Sequence, residues 1–182
     1  MGQQATGKGY WVLGIRYWVL LVVMALALSG CAPPVAGGFA IYLLAEDVRT
    51  ADVPWDDWSS LEREEQPIIA TDDIVAYAKE THEIELTAAA HERVQGLYTL
   101  AVDTGGLPFV VCVGDDRIYA GAFWTPLSSL IFDGVIIMEP FETDKRVIRI
   151  SLGYPTPEAF RGVDPRADPR IMQALDRAGK LE

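Results

Sequence analysis

Two periods run through the hydrophobic positions of this chain. From residue 82 they alternate: His82, Ile84 and Leu86 fall on one side of an extended backbone, Glu83 and Glu85 on the other. That is the pattern of a half-buried strand. Just after Thr87 the period changes. Ala90, Val94, Leu97, Tyr98 and Ala101 recur at helical spacing and form one apolar stripe, with Thr87 as the N-cap and Thr104-Gly105-Gly106 as the stop. Residues 108–113 and 117–124 are then two β-rich runs around Gly114-Asp115-Asp116, which predicts a hairpin. Phe39 to Ala45, Gly134 to Met138 and Arg146 to Ser151 read as further strands, and Pro67–Ala70 as a short apolar run. Asp73–Tyr77 pairs naturally with the alternating segment across Ala78-Lys79-Glu80-Thr81, although Thr71-Asp72-Asp73 also has the chemistry to cap a short helix. The polar stretch 47–66, which contains Trp55 and Trp58, reads as loop with a helical turn near Ser59 to Glu65. Asp168 before Pro169 is a helix start, with Ile171, Met172 and Leu175 on its apolar side. The expected class is therefore α+β: a mostly antiparallel sheet with one central amphipathic helix packed on a face.

The first thirty residues obey neither period. They hold Lys8 and Arg16 and no acid, then the twelve-residue apolar run Tyr17–Leu28, then Ser29, Gly30 and Cys31. Charged, apolar and small segments in this order make a secretory signal. A spanning helix needs about 20 apolar residues, and extending this run backwards draws Arg16 into the bilayer. An uncleaved anchor helix is the competing reading. Leu28-Ser29-Gly30-Cys31 resembles the lipobox of bacterial lipoproteins. The resemblance implies that Cys31 receives a diacylglycerol and that the chain is cut before it. Acyl chains contributing about 0.8 kcal/mol per buried methylene then hold the protein at a membrane. In that family an Asp after the lipidated Cys favours the inner membrane. Ala32 stands there in this chain, which points to the outer membrane in an organism that has one. The expected organisation is a signal peptide at 1–30, lipidated Cys31 and a short tether through Gly38, and a single extracytoplasmic domain at 39–182.

Charge narrows the partners. The whole chain carries 15 Lys and Arg against 26 Asp and Glu, a net −11. Loss of Lys8 and Arg16 with the leader takes residues 31–182 to −13. Such a domain lacks the basic surface that nucleic acid requires. The membrane is engaged through lipid rather than charge, and an envelope protein is the natural remaining partner. With Cys31 lipidated, Cys112 has no partner for a disulfide, and its setting in Phe109-Val110-Val111-Cys112-Val113 is that of a small buried hydrophobe.

Candidate chemistry is sparse. His82 could act as a general base if Asp72 or Asp73 lay within reach, giving an envelope hydrolase. The simpler role for His82 is a satisfied histidine at the core edge. His91 reads as a solvated residue on the polar side of the helix. The pairs Asp56-Asp57, Asp72-Asp73 and Asp115-Asp116 lack the alternate spacing of a calcium loop, and no His-Glu-x-x-His occurs, so neither metal nor cofactor is expected. Ser128-Ser129 has neither a Gly-x-Ser-x-Gly nor a Ser-x-x-Lys context and reads as a turn or cap. Tyr119, Phe123 and Trp124, on or just past one hairpin strand, are the candidate binding surface. The competing role for them is core.

The order strand, Leu86-Thr87, helix, glycine turn and the pair Phe109–Gly114 and Arg117–Gly121 resembles the periplasmic head subdomain of the export subunit SecD. The likeness spans Ile84 to Met138. It departs at Gly121-Ala122-Phe123-Trp124, where SecD has a small-residue and proline step. It implies an extracytoplasmic α+β module and no export motor. The first functional expectation is thus a lipid-anchored, non-catalytic binding or assembly module of the bacterial cell envelope. The hydrolase using His82 with Asp72 or Asp73 is the alternative.

Overall fold

A computed structural model describes residues 37–45, 48–55, 57–140 and 145–182. The signal peptide, Cys31 and the tether up to residue 36 lie outside the described residues, as does Asp56. The strands are β1 (Phe39–Leu43), β2 (Ile69–Ala70), β3 (Ile74–Ala78), β4 (Glu83–Leu86), β5 (Leu107–Val113), β6 (Asp116–Trp124), β7 (Phe132–Met138) and β8 (Val147–Tyr154). The helices are α1 (Ala88–Leu100) and α2 (Pro169–Arg177). Short 3-10 turns lie at Trp58–Ser60 and Thr71–Asp73, among others.

The eight strands form one sheet in the order β2-β1-β5-β6-β7-β8-β4-β3. Every neighbouring pair is antiparallel except β6 and β7. The outermost strands, β2 and β3, are consecutive in the chain and joined only by the turn Thr71–Asp73, so the sheet curls until its two ends meet. Phe39 of β1 and Tyr77 of β3 touch edge to face across the curl at 6.4 Å. The outer edge of β3 is covered by residues 180–182, where Tyr77 N–H donates to the Lys180 carbonyl at 2.7 Å and Glu182 N–H to the Tyr77 carbonyl at 2.9 Å. Covering an edge in this way blocks unwanted strand pairing.

The two-residue period divides each strand between two faces. Ile41, Phe109, Val111, Phe123, Val135, Ile137, Ile148, Ile150, Ile84 and Leu86 point into the concave side and build one continuous core. Both helices close it. Thr87 Oγ1 accepts the Ala90 N–H at 3.3 Å as the cap of α1, and Asp168 accepts the Arg170 N–H at 2.8 Å as the cap of α2. Ala90 and Val94 of α1 and Ile171 and Leu175 of α2 are buried in the same core. The expected alternation of His82, Ile84 and Leu86 is seen, since all three are buried. The α+β class and the mostly antiparallel sheet hold. The central helix expected on a face is α1, the helix expected to start at Asp168 is α2, and both pack on the concave side; the parallel β6–β7 pair is a feature the hydrophobic pattern did not contain.

The convex side is different. Ala40, Tyr42, Val110 and Cys112 form one small cluster under Trp58, and Ala122, Trp124, Phe132 and Ile136 form another beside Trp55. The polar stretch 48–66 is therefore a cover for the sheet, held by its tryptophans and by Arg63, whose guanidinium lies 3.9 Å over the Tyr42 ring.

Candidate functional site

His82 sits at the tip of the β3–β4 turn with φ 55°, the left-handed region that non-glycine residues seldom adopt. Its backbone is fixed on both sides, since its N–H donates to the Ala78 carbonyl at 2.8 Å and its carbonyl accepts the Ile150 N–H at 3.0 Å. Its Nδ1 lies 2.9 Å from the Tyr77 hydroxyl. Burial raises the Tyr77 phenol well above its usual range, so the hydroxyl stays protonated. Burial also lowers the His82 pKa, and the nearby Arg166 cation adds to this while the Asp164 carboxylate opposes it. Arg166 holds both Asp164 oxygens, at 2.9 and 2.8 Å, and the Ile150 carbonyl at 3.0 Å.

Asp72 and Asp73 lie at the other end of β3. Five strand residues separate them from the turn, about 16 Å at 3.3 Å per residue. The Asp73 carboxylate accepts the Ala70 N–H at 2.9 Å and pairs with Arg93 at 2.6 Å. Asp72 is exposed at the rim of a hollow. The fold therefore gives His82 a tyrosine and an arginine–aspartate pair for neighbours, and it does not bring Asp72 or Asp73 to it.

Tyr119, Phe123 and Trp124 are 5 %, 0 % and 2 % exposed. They are core residues as placed, which corrects the expectation of a surface. The reason is topological: β6 is an interior strand of the sheet with both faces covered. Phe123 meets Phe109 and Tyr98 on the concave side, and Trp124 stacks on Phe132 on the convex side, 5.1 Å between rings. His91 is likewise buried, with its Nε2 3.5 Å from the Gln95 amide, and is not the solvated residue its helical position suggested. Cys112 is buried as expected, and burial pushes its thiol pKa up, away from the reactive thiolate.

The exposed apolar surface lies elsewhere, on the segment Thr125–Ile131 that carries the chain from β6 to its parallel neighbour β7. Such crossovers usually take a dozen residues or more; this one takes seven and is pinned from beneath. Thr125 Oγ1 donates to Glu139 at 3.0 Å and accepts the Leu127 N–H at 3.3 Å. Ser128 Oγ donates to the Thr104 carbonyl at 2.6 Å and accepts the Leu130 N–H at 3.2 Å. The Tyr154 hydroxyl reaches the Ser128 carbonyl at 3.0 Å. With its polar groups turned inward, the segment leaves Leu127, Leu130 and Ile131 at 81 %, 51 % and 77 % exposure. Leu100, at the end of α1 four residues before Thr104, is also exposed. Beside this knuckle lies a hollow of about 260 Å³ whose lining includes Leu43, Val48, Ala101, Leu107 and Pro108.

A larger hollow of about 500 Å³ opens at the opposite end of the strands, around Gly37, Gly38 and Gly114. Arg63, Glu65, Asp72, Asp115 and Asp116 line it. Among the described residues no group of three or more His, Cys, Asp or Glu is placed to hold a metal ion.

Sequence reasoning read Ser128-Ser129 as a turn and passed over the leucines around it. The available signal was an aliphatic set inside a segment of turn formers, Thr125-Pro126-Leu127-Ser128-Ser129-Leu130-Ile131, where a loop is ordinarily polar. Comparison of the chain with known protein families, curated proteins and solved structures found no match.

Proposed function

We propose that this protein is a lipid-anchored binding or assembly module of the bacterial cell envelope, non-catalytic, with acylated Cys31 as its anchor. The outer membrane is the favoured location where the organism has one, because Ala32 follows the cysteine. The resemblance of Ile84–Met138 to the SecD head subdomain enters this reading only as the expectation of an extracytoplasmic module.

The observation that carries it is the pinned crossover. Hydrogen bonds from Thr125, Ser128 and Tyr154 fix a segment whose aliphatic side chains face solvent. An immobile apolar knob loses little conformational entropy when it is buried against a partner, which is the economy of preorganised binding surfaces. The histidine supports the same reading, since among the described residues its ring bonds the Tyr77 phenol, which stays protonated, and Asp72 and Asp73 stand at the other end of β3.

The test is the size of the protein extracted from membranes in mild detergent. The wild-type chain is expected to migrate as a complex larger than its own acylated monomer. The combined Leu127→Ser, Leu130→Ser and Ile131→Ser variant is expected at monomer size, and His82→Gln at the wild-type position. Migration of the wild type as a bare monomer, or an N-terminal peptide with unmodified Cys31, overturns the proposal.

A further inference from the structure

The knuckle has a fixed place relative to the point where the chain enters the domain. Phe39 pairs with Val113, and Val113 with Asp116, so Gly37 and Gly38 lie at the start of β6. Gly114 N–H donates to the Gly38 carbonyl at 2.9 Å, which ties the entry point to that end. The crossover leaves from the other end of β6, after Trp124, and Ser128 is held there by Thr104, which precedes β5. Nine residues of strand separate the two, about 26 Å. The exposed aliphatics are therefore at the end of the domain opposite Gly37 and Gly38.

Exposure of large apolar side chains is concentrated there. Six such residues are exposed among those described, and Leu100, Leu127, Leu130 and Ile131 belong to the two segments joined by the Ser128–Thr104 bond. No charged residue occurs from Ile118 to Phe132. The exposed charges next to the two segments are Asp103 and Asp133, with Arg161 opposite, whose backbone N–H donates to the Asp133 carbonyl, while Glu139 is engaged by Thr125 and shares a hollow with Lys145 and Arg149. Asp103 and Asp133 outnumber Arg161 at this rim, on a domain of net −13.

We infer that this end is a docking surface for a basic protein partner: a surface with an apolar cleft for Leu127, Leu130 and Ile131, rimmed by Lys or Arg that face Asp103 and Asp133. The inference rests on the proposed binding role and gives it a location and a partner chemistry. A second copy of this chain fits poorly. Four aliphatic side chains fall short of the roughly 800 Å² per partner of a standard interface, so the rim must contribute, and two copies would bring acidic rims together. A membrane fits poorly as well, because the run from Ile118 to Phe132 carries no cation to meet an anionic headgroup and Arg161 is the lone exposed cation bonded to its flank among the described residues. A basic partner satisfies both demands: its cleft buries the knob, and its rim attracts the acidic domain from a distance.

The experiment places a photo-crosslinking amino acid at Ser129, between the leucines, or at Asp115, at the opposite end beside Gly37 and Gly38, in the full chain in its own membranes. The expected result is one discrete protein adduct from position 129 and none from 115. The crosslinked protein, purified and titrated against the unmodified chain, should bind about tenfold or more weakly to the triple serine variant. Its affinity should also fall several-fold between 50 and 500 mM salt. An adduct with the chain itself overturns the inference. So does an adduct insensitive to salt, or leucine-dependent flotation with phosphatidylcholine vesicles. An adduct from 115 alone removes this surface and leaves the binding role standing. The absence of any adduct at either position overturns both.

Discussion

The two faces of one sheet are finished in different ways. On the concave side the period-two residues of all eight strands meet α1 and α2 in a single core. Helices with an apolar stripe are efficient covers, because each turn delivers side chains to the same face. On the convex side the period-two partners are charged in β4 and β8, where Glu83 pairs with Arg149, and apolar in β1, β5, β6 and β7, where they form two separate clusters under irregular chain. There the cover is single anchors, Trp55, Trp58 and Arg63 over Tyr42, and a crossover held by its own hydrogen bonds. The concave side is where the fold gets its stability. The convex side and its end, built from loops whose positions are set by a few contacts, is where the proposed partner would be met without disturbing that core.

The largest effect should separate the two sides directly. Phe123→Ala empties a fully buried ring site between Phe109 and Tyr98, and a loss of about 3–5 kcal/mol in urea-induced unfolding is expected. Gly121→Ala attacks the same region from the backbone. A Cβ there would stand 2.4 Å from the Val135 carbonyl oxygen on the parallel neighbour, so a loss of about 1–3 kcal/mol is expected by the same measurement. On the convex side Trp58→Ala removes a half-buried anchor. The expected cost is about 1–2 kcal/mol, with protease cleavage in 48–66 rising while the rest of the domain resists. If Trp58→Ala matches Phe123→Ala, the two sides are one cooperative core and the contrast is lost.

A pH series sharpens the comparison at the open end of the concave core. The folded-state pKa of His82 is below its ordinary value near 6.5, so below that value the unfolded chain takes up the proton more readily than the folded one. The contribution of His82 is therefore complete above about pH 6.5 and is lost as pH falls through the folded pKa. The thermal midpoint of the wild type should drop between pH 7.5 and 5 by more than that of His82→Gln, and parallel curves for the two proteins would refute this. The smallest effect belongs to the knuckle. The triple serine variant should unfold within about 0.5 kcal/mol of the wild type, because side chains already in water lose nothing on substitution. A large destabilisation would mean that Leu127, Leu130 and Ile131 belong to the fold.

Much of the candidate site was hidden from sequence reasoning for one physical reason. Period-two alternation tells which residues share a face and not whether that face is covered. Tyr119, Phe123 and Trp124 looked like a binding surface because aromatics on a strand are equally suited to a core or a partner, and their burial depends on α1, Trp55 and the crossover, all distant in sequence or irregular. Asp72 and His82 are ten residues apart and looked like neighbours across a hairpin, but the intervening strand carries them to opposite ends. His91 fell on what looked like the polar side of its helix, and the structure buries it there.

What the sequence by itself determined was everything local. The β5–β6 hairpin follows from the glycine turn at 114, where φ is +60°. The Thr87 and Asp168 caps follow from side chains that reach the first free N–H groups of a helix. The α+β class follows from the change of period along the chain. The tertiary structure alone decided that β1 inserts between β2 and β5, that β6 and β7 run parallel, and that the sheet curls until its first and last strands meet. Those choices belong to contacts between residues far apart in the chain, where many pairings satisfy the same alternating pattern. The global packing of both faces selects among them, and so it also selects which leucines are left in water.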